Sequence, residues 1–314
     1  MDMFMDSPVA LVGCHALGID RGGCELDVLV VSDERRPSAT VRIGGVSVDL
    51  FFASEKDVLK PPDPEHAVSM ARAAPVRDAS LVLSTSSAAC IAILSDSCRK
   101  SARKRLASSL KSLGRADEAL AEEGASEAAL WLLAATYDFA KAWLYSKEVL
   151  PAPSHLVGQL RGISKGAPGE FSAVSAGAGL EHASRASCSL RLEALGVLQD
   201  ALRGRAQGGP WSGPRLEVVE SKAEDLGGAQ DHVECYSFLG EEAVEALNAL
   251  SAGRKPKRRK APRPTSPMDE VLTGEGRLLG DRILRELGLS RDRAQVEASL
   301  RGLKEQVSRL SKRL

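Results

Sequence analysis

The amino-acid sequence predicts an α/β N-terminal domain followed by a mostly helical C-terminal domain. Short apolar runs separated by glycine and proline fill residues 8–53 and are typical of β-strands. From about residue 96 the apolar residues recur at helical spacing instead. Aromatic residues make up only 4% of the 314 residues, which favours a core of closely packed alanine, leucine and valine. This length is enough for two domains.

The N-terminal strands are predicted from apolar runs at residues 9–12, 26–31, 40–43 and 46–52. Gly44 and Gly45 separate the last two runs, and two glycines at that position indicate a β-hairpin. A helix is predicted around residues 65–73, after a proline-rich stretch, and a further strand at residues 79–83. We assign residues 1–95 to this domain.

The helical domain is assigned to residues 96–252. Its clearest helix is predicted over residues 127–148, where apolar residues step by three and four along one face: Leu130, Leu133, Tyr137, Ala140 and Leu144. A long helix rich in alanine and leucine is predicted over residues 176–204, and a shorter one over residues 240–251.

A basic, proline-rich linker is assigned to residues 253–268. Residues 253–267 contain seven basic residues, four prolines and no acid. The basic side chains could instead neutralise the phosphates of RNA or DNA; they are Arg254, Lys255, Lys257, Arg258, Arg259, Lys260 and Arg263. The linker is favoured over nucleic-acid binding because no aromatic residue is interleaved among the basic residues for base stacking.

A terminal helical segment is assigned to residues 269–314. Its apolar residues repeat at spacings of four and three: Val296, Leu300, Leu303, Val307, Leu310 and Leu314. This is an a/d seam of nearly three heptads. Such a short seam either packs on the body of the same chain or forms a homodimer.

Composition excludes some classes of function. The formal net charge is zero, so no global field favours nucleic acid or a membrane surface. No apolar run approaches the roughly 20 residues that span a bilayer. Residues 1–13 carry two acids and no basic residue, unlike a signal peptide. We therefore expect a cytoplasmic protein without a membrane partner.

The six cysteines are scattered and form no CxxC pair. Buried or half-buried free thiols in a reducing compartment are the simplest interpretation. No close Cys/His pairs show ligand spacing, which gives little support to a zinc site. His155 lies near a predicted helix start, where a capping or packing role is typical.

Carboxylates at the start of the second strand are the main candidate site. Glu25 and Asp27 are two residues apart, so in a strand they project from the same face. Neighbouring carboxylates repel one another unless a positive charge compensates, and Mg²⁺ binds a few carboxylates together with substrate phosphates. Asp49, in an otherwise apolar strand, can complete a three-carboxylate cluster. The pattern predicts a site for Mg²⁺ or Mn²⁺.

Gly13 ends the first apolar run, just before a short helix or turn that begins at Cys14. Glycine lets the backbone approach a phosphate, and N–H groups at a helix start can bind anions. A phosphate-binding turn beside a metal site is the equipment for nucleotidyl transfer from a magnesium-bound triphosphate.

These residues resemble the DNA polymerase beta-like nucleotidyltransferases, especially the kanamycin nucleotidyltransferase and minimal nucleotidyltransferase branch. That family carries the pattern G-S-x-x-R-G-x-x-x-x-x-S-D-x-D. This chain has GCHALG at residues 13–18 and CELD at residues 24–27, at the same spacing. Cys14, Leu17 and Glu25 replace the serine, the arginine and the first aspartate of the pattern. The resemblance covers roughly the first 95 residues and implies a small mixed sheet with flanking helices.

The resemblance implies a role for each site residue. Glu25 and Asp27 would bridge two metal ions, and Asp49 would bind the catalytic ion and help deprotonate an acceptor hydroxyl. Gly13 and Cys14 would contact the β and γ phosphates of ATP or another nucleoside triphosphate through backbone N–H groups. The nucleoside monophosphate would pass to a small-molecule, protein or RNA acceptor, which the helical domain would select by closing the cleft.

Two other functions remain open at this stage. The first is a catalytically silent relative that binds nucleotide or partners as a regulator, favoured by Cys14 and Leu17. The second is a nucleic-acid-binding protein that uses the basic residues 254–263.

Overall fold

The chain forms two compact units in the computed structural model. The first comprises Met1–Lys104, Ala142–His155 and Leu314, and the second comprises Arg105–Lys141 and Leu156–Arg313. The first unit therefore includes a segment after residue 141 that the sequence analysis assigns to the helical domain. The structure describes residues 6–21, 23–34, 36, 38–61, 63–122, 124–166, 168–203, 215–252, 282–289 and 292–314.

A five-stranded mixed sheet forms the base of the first unit. Its strands are β1 (Val9–Leu11), β2 (Leu26–Val31), β3 (Ala39–Ile43), β4 (Val46–Ala53) and β5 (Ala74–Arg77). The spatial order is β3-β4-β2-β1-β5, in which β2 and β4 run parallel and the other neighbours run antiparallel. The α/β class and the first four strands are thus confirmed. Gly44 and Gly45, both with positive φ, make the predicted hairpin turn between β3 and β4.

The strand predicted at residues 79–83 is wrong. The fifth strand lies earlier, and Val82 already begins a helix, α4 (Val82–Ala92). The Asp78 carboxylate accepts hydrogen bonds from the backbone N–H groups of Leu83 and Ser84, at 3.0 and 2.7 Å, and so starts that helix. β5 contains Pro75 and lies at the edge of the sheet, where a residue without an N–H is tolerated.

Three further short helices complete the α/β unit: α1 (Gly13–Leu17), α2 (Glu55–Leu59) and α3 (Pro64–Ala71). The helix predicted around residues 65–73 is confirmed as α3. The core of this unit joins one face of the sheet to α2, α3 and α4. Its buried members include Ala10, Leu29, Val31, Val58, Met70 and Leu83.

The remainder of the described chain is mostly helical, as predicted. The longer helices are α5 (Leu94–Ala121), α6 (Ala125–Tyr145), α7 (Leu156–Ile163), α8 (Pro168–Ala178), α9 (Arg185–Arg203), α10 (Arg215–Gly228), α11 (His232–Ala252) and α12 (Arg293–Ser311). α6 confirms the helix predicted over residues 127–148. The single helix predicted over residues 176–204 is wrong, because Gly179 adopts a left-handed φ of +69° and separates α8 from α9.

The a/d seam on α12 is covered by the chain itself. Five of its residues are 0–5% exposed: Val296, Leu300, Leu303, Val307 and Leu310. α12 packs on α8 within the second unit. The structure follows the alternative in which the seam packs on the body of the same chain, and the homodimer stays a prediction.

Two further sequence predictions concern membrane-spanning segments and the basic linker. In the described part of the chain, no helix is long and apolar enough to cross a membrane. The linker at residues 253–268, with its basic residues, lies outside the described residues.

Candidate metal centre

The three predicted carboxylates converge in the first unit. One oxygen each of Glu25, Asp27 and Asp49 lies within 4.8 Å of the other two. We call these residues the carboxylate triad. Asp27 on β2 and Asp49 on β4 are direct partners in the parallel ladder, so their side chains leave the same face of the sheet. Glu25 stands two residues before Asp27 and adds its carboxylate from the same side.

The carboxylate triad is largely shielded from water. Glu25 is 6% exposed and Asp49 is 8% exposed, while Asp27 is half-buried. Like charges held this close, with little hydration, favour a bound cation. Oxygen ligands of one octahedral Mg²⁺ lie about 3 to 4 Å apart, given metal–oxygen distances of about 2.1 Å. Small side-chain adjustments therefore suffice for these oxygens to share one ion.

Thr40 orients one member of the carboxylate triad. It is the direct partner of Asp49 across the β3–β4 ladder, and its Oγ1 donates a hydrogen bond of 2.6 Å to Asp49 Oδ1. A threonine on the neighbouring strand thus fixes the carboxylate before any ligand arrives. Thr40 is not among the residues predicted for the site, although its place in the predicted hairpin indicates a pairing with Asp49.

Gly13 lies against the Asp27 carboxylate. A Cβ atom at this position would be 2.0 Å from Asp27 Oδ2, and Gly13 has a left-handed φ of +66°. The backbone N–H of the preceding residue, Val12, donates a 3.0 Å hydrogen bond to the carbonyl of Asp27. Glycine is therefore required here by the position of Asp27, whereas the phosphate contact predicted for Gly13 stays a prediction.

Cys14 contributes its side chain to a second cluster. The sulfur atoms of Cys14 and Cys24 and a ring nitrogen of His155 lie within 4.8 Å of one another. We call these residues the thiol–imidazole triad. Cys24 Sγ is 3.2 Å from His155 Nε2 and accepts a 3.4 Å hydrogen bond from the backbone N–H of Arg21. Cys14 and His155 are 5% and 4% exposed.

The contacts within the thiol–imidazole triad favour the thiolate of Cys24. A hydrogen bond with the Cys14 thiol lowers the pKa of the Cys24 thiol below its ordinary value. The contact with His155 lowers that pKa further, and together these effects outweigh burial, which raises it. A thiolate is the form of cysteine that binds metals and attacks electrophiles.

The thiol–imidazole triad is not predictable from the spacing of its residues in the sequence. None of the six cysteines forms a disulfide, which agrees with the expected thiols. His155, however, is 131 positions from Cys24 in the chain, in a short 3₁₀ helix (Pro153–His155). No local spacing signals such a pairing; only the fold brings these groups together.

A cavity of about 570 Å³ lies on the same face of the sheet as the carboxylate triad. Its lining includes Leu29 and Phe51, which are ladder partners two residues beyond Asp27 and Asp49. A step of two residues along a strand is about 6.6 Å. The volume is in the range of small-molecule sites. Asp57, Asp63 and Glu65 also line the cavity and make part of it acidic.

Comparison of the sequence with protein-family models and with curated proteins finds no match. A functional assignment therefore depends on the motif residues and on the geometry of the two triads.

Proposed function

We propose that this chain is a metal-dependent nucleotidyltransferase, which moves a nucleoside monophosphate from a nucleoside triphosphate to an acceptor hydroxyl. The observation that carries the proposal is the convergence of Glu25, Asp27 and Asp49 on one face of a mixed sheet. The spacing of the motif at residues 13–27 supports it independently, because that spacing resembles a nucleotidyltransferase pattern.

The donor set of the carboxylate triad fits Mg²⁺ or Mn²⁺. Three carboxylates supply only oxygen ligands, which these hard cations prefer, and they leave positions for substrate phosphates. Glu25 is one methylene longer than the aspartate in the resembled pattern, yet its carboxylate still reaches the cluster. When bound, the metal would stabilise the entering and leaving oxygens of an in-line displacement at the α-phosphorus.

The residues of the chain have separate tasks in this proposal. Glu25 and Asp27 bind the cation that accompanies the triphosphate. Asp49 accepts the proton of the acceptor hydroxyl, and the hydrogen bond from Thr40 keeps its carboxylate oriented for that purpose. Gly13 leaves room for Asp27 to stand against the backbone.

The cavity beside the carboxylate triad supports binding of a small molecule. Leu29 and Phe51 form an apolar part of its wall, suited to a flat or aliphatic group. Its acidic part, at Asp57, Asp63 and Glu65, disfavours a phosphate and suits a neutral or cationic group. We therefore place the phosphates at the carboxylate triad and a non-phosphate part of one substrate in the cavity.

A catalytically silent nucleotide-binding regulator is the second candidate. It is favoured by Cys14, whose buried sulfur lies among Cys24 and His155. In the resembled pattern the side chain at this position is a serine that helps hold a phosphate. An RNA acceptor that uses the basic residues 254–263 stays a prediction, since those residues lie outside the described chain.

Thermal unfolding with nucleotides tests metal-dependent triphosphate binding. The full chain is heated with each of the four ribonucleoside triphosphates, with and without Mg²⁺ or Mn²⁺. A triphosphate at 100 times its Kd stabilises the native state by about 2.7 kcal/mol, which is a readable shift in Tm. We expect a metal-dependent shift in the wild type that disappears in Asp27→Asn.

Asp96→Asn is the matched control, because Asp96 is an exposed carboxylate that pairs with Lys100 at 2.7 Å on α5. It should keep the wild-type shift. Absence of a shift with every triphosphate, or an equal shift in Asp27→Asn, contradicts the assignment of the carboxylate triad.

A further inference from the structure

We infer that the thiol–imidazole triad is a second metal site, which binds a transition-metal ion of the zinc class through Cys14 Sγ, Cys24 Sγ and His155 Nε2. This site is separate from the carboxylate triad in its residues and in its donor atoms. The inference does not depend on the proposed nucleotidyl transfer.

The distances between the ligand atoms suit a tetrahedral zinc ion. In a tetrahedral zinc site, with Zn–S near 2.3 Å and Zn–N near 2.1 Å, a sulfur and a nitrogen ligand lie about 3.6 Å apart. The distance between Cys24 Sγ and His155 Nε2 is 3.2 Å, and all three ligand atoms lie within 4.8 Å of one another. Shifts of a few tenths of an ångström would admit the ion. Three protein ligands leave one tetrahedral position for water.

The donor atoms of the thiol–imidazole triad suit zinc rather than Mg²⁺. Two sulfurs and an imidazole nitrogen are the ligands that zinc and related borderline or soft ions select, whereas Mg²⁺ prefers the oxygens of the carboxylate triad. The backbone N–H of Arg21 donates to Cys24 Sγ, a contact that stabilises a metal-bound thiolate. The two clusters therefore select different ions even where both ions are present.

The buried imidazole of His155 favours a metal site over a disulfide. A disulfide between Cys14 and Cys24 would make no use of an imidazole, yet His155 is 4% exposed and directs Nε2 at Cys24 Sγ. His155 belongs to Ala142–His155, the chain segment that joins the first unit from beyond residue 104. A metal bound here would tie that segment to Cys14 on α1 and to Cys24, which lies two residues before β2.

Binding at the thiol–imidazole triad would also position the carboxylate triad. Cys14 directly follows Gly13, which lies against Asp27, and Cys24 directly precedes Glu25. Fixing both sulfurs would therefore restrain the two residues that adjoin them, Gly13 and Glu25. Cys14, Cys24 and His155 would thus act as positioning residues for the carboxylate triad. Only this positioning role rests on the proposed function.

Cobalt titration of the full chain tests the site. Co²⁺ substitutes for Zn²⁺ and gives a sulfur-to-metal charge-transfer absorption only when thiolates bind it. We expect one Co²⁺ per chain with this absorption and with the strong visible bands of a tetrahedral ion, both removed by Zn²⁺. Cys24→Ser and His155→Gln should weaken binding by more than the roughly 10- to 100-fold that loss of a second-shell partner costs.

Cys90→Ala is the matched control, because Cys90 is a buried thiol in the hydrophobic core of the same unit. It should keep the wild-type cobalt spectrum, and circular dichroism should confirm that every variant is folded. The wild-type spectrum decides the matter even if a variant does not fold.

A wild-type chain that shows no thiolate charge transfer, or binds Zn²⁺ no more tightly than Cys24→Ser, overturns the inference. So does a Cys14–Cys24 disulfide in a chain that binds no metal after reduction. Failure of the nucleotide proposal looks different: the cobalt spectrum persists while no triphosphate stabilises the protein.

Discussion

The carboxylate triad and the thiol–imidazole triad each take two residues from the stretch 14–27 and the third from elsewhere in the chain, yet they differ in donor type and in how the fold assembles them. Gly13 lies against Asp27, whereas its neighbour Cys14 supplies a sulfur to the other cluster. Likewise Cys24 and Glu25 are consecutive and belong to different triads. In the two proposals, neighbouring residues thus offer oxygen donors to one ion and sulfur and nitrogen donors to another, and ions of different hardness would be selected by donor type.

The largest expected effect is a double dissociation between the two triads. Asp49→Asn should remove metal-dependent triphosphate binding and keep the cobalt charge-transfer absorption. Cys24→Ser should remove that absorption and keep at least part of the triphosphate binding, since it takes no oxygen ligand from the carboxylate triad. Calorimetric titration with Mg²⁺ and ATP, beside cobalt absorption, measures both quantities. If each variant loses both the triphosphate binding and the cobalt absorption, the triads are one site rather than two.

A smaller effect is expected from two glycines with matched backbone angles. Gly13 and Gly18 have φ values of +66° and +65°, but a Cβ at Gly18 would meet no atom within 4 Å. Both alanine variants should lose about 1–2 kcal/mol of unfolding free energy from left-handed strain. Only Gly13→Ala should also displace the Asp27 carboxylate and weaken metal-dependent triphosphate binding. Urea unfolding and calorimetry separate the two effects, and equal nucleotide affinity in both variants would contradict the role given to Gly13.

Thr40 should influence the carboxylate triad only through orientation. Thr40→Val removes the hydroxyl that donates to Asp49 Oδ1 while it keeps a β-branched side chain in β3. We expect Mn²⁺ affinity to fall roughly 10- to 100-fold, the usual cost of losing a second-shell partner. Thr40→Ser is the matched control and should retain most of the affinity. A wild-type Mn²⁺ affinity in Thr40→Val would remove Thr40 from the site.

The smallest effect concerns a carboxylate that caps a helix and belongs to neither triad. Asp63 caps α3 by accepting from the N–H groups of Glu65 and His66. Burial raises the pKa of Asp63, but the hydrogen bonds and the charge of His66 outweigh it, so that pKa lies below its ordinary value. A lowered folded-state pKa stabilises the fold at higher pH, and this contribution is lost as the pH falls through that pKa.

Asp63→Ala should therefore cost about 1 kcal/mol of unfolding free energy near neutral pH. The difference from wild type should shrink as the pH falls below about 4, the ordinary pKa of aspartate. Urea unfolding at both pH values measures it. We expect cobalt and Mg²⁺ binding to be unchanged in this variant, because Asp63 belongs to neither triad. Loss of either metal signal would contradict a capping role that is independent of the two triads.

The carboxylate triad could be predicted from the sequence because it depends on local rules. Alternation along a strand places Glu25 and Asp27 on one face, and an acid in an apolar strand marks Asp49. The pairing of β2 with β4 then brings them together. The reason for Gly13 was only partly visible, because the close approach of Asp27 depends on that pairing and not on any spacing in the motif.

The thiol–imidazole triad could not be predicted, because His155 reaches Cys24 only through tertiary packing. Two errors in the fold have a local cause instead. The Asp78 carboxylate accepts a hydrogen bond from the first turn of α4 where apolar residues alone predicted a strand, and the left-handed Gly179 follows the end of α8 within a continuous pattern of alanine and leucine. In each case a single residue with a specific hydrogen bond or backbone angle outweighed the periodic pattern around it.

The most direct test of nucleotidyl transfer uses water as the acceptor hydroxyl, so that no acceptor need be known. The full chain is incubated with Mg²⁺ or Mn²⁺ and a triphosphate labelled at the α-phosphorus, and the products are separated. Attack at the α-phosphorus yields nucleoside monophosphate and pyrophosphate; we expect these products from wild type and Asp96→Asn but not from Asp27→Asn. Nucleoside diphosphate with inorganic phosphate, or no turnover despite metal-dependent triphosphate binding, would contradict transfer and leave the silent regulator as the better account.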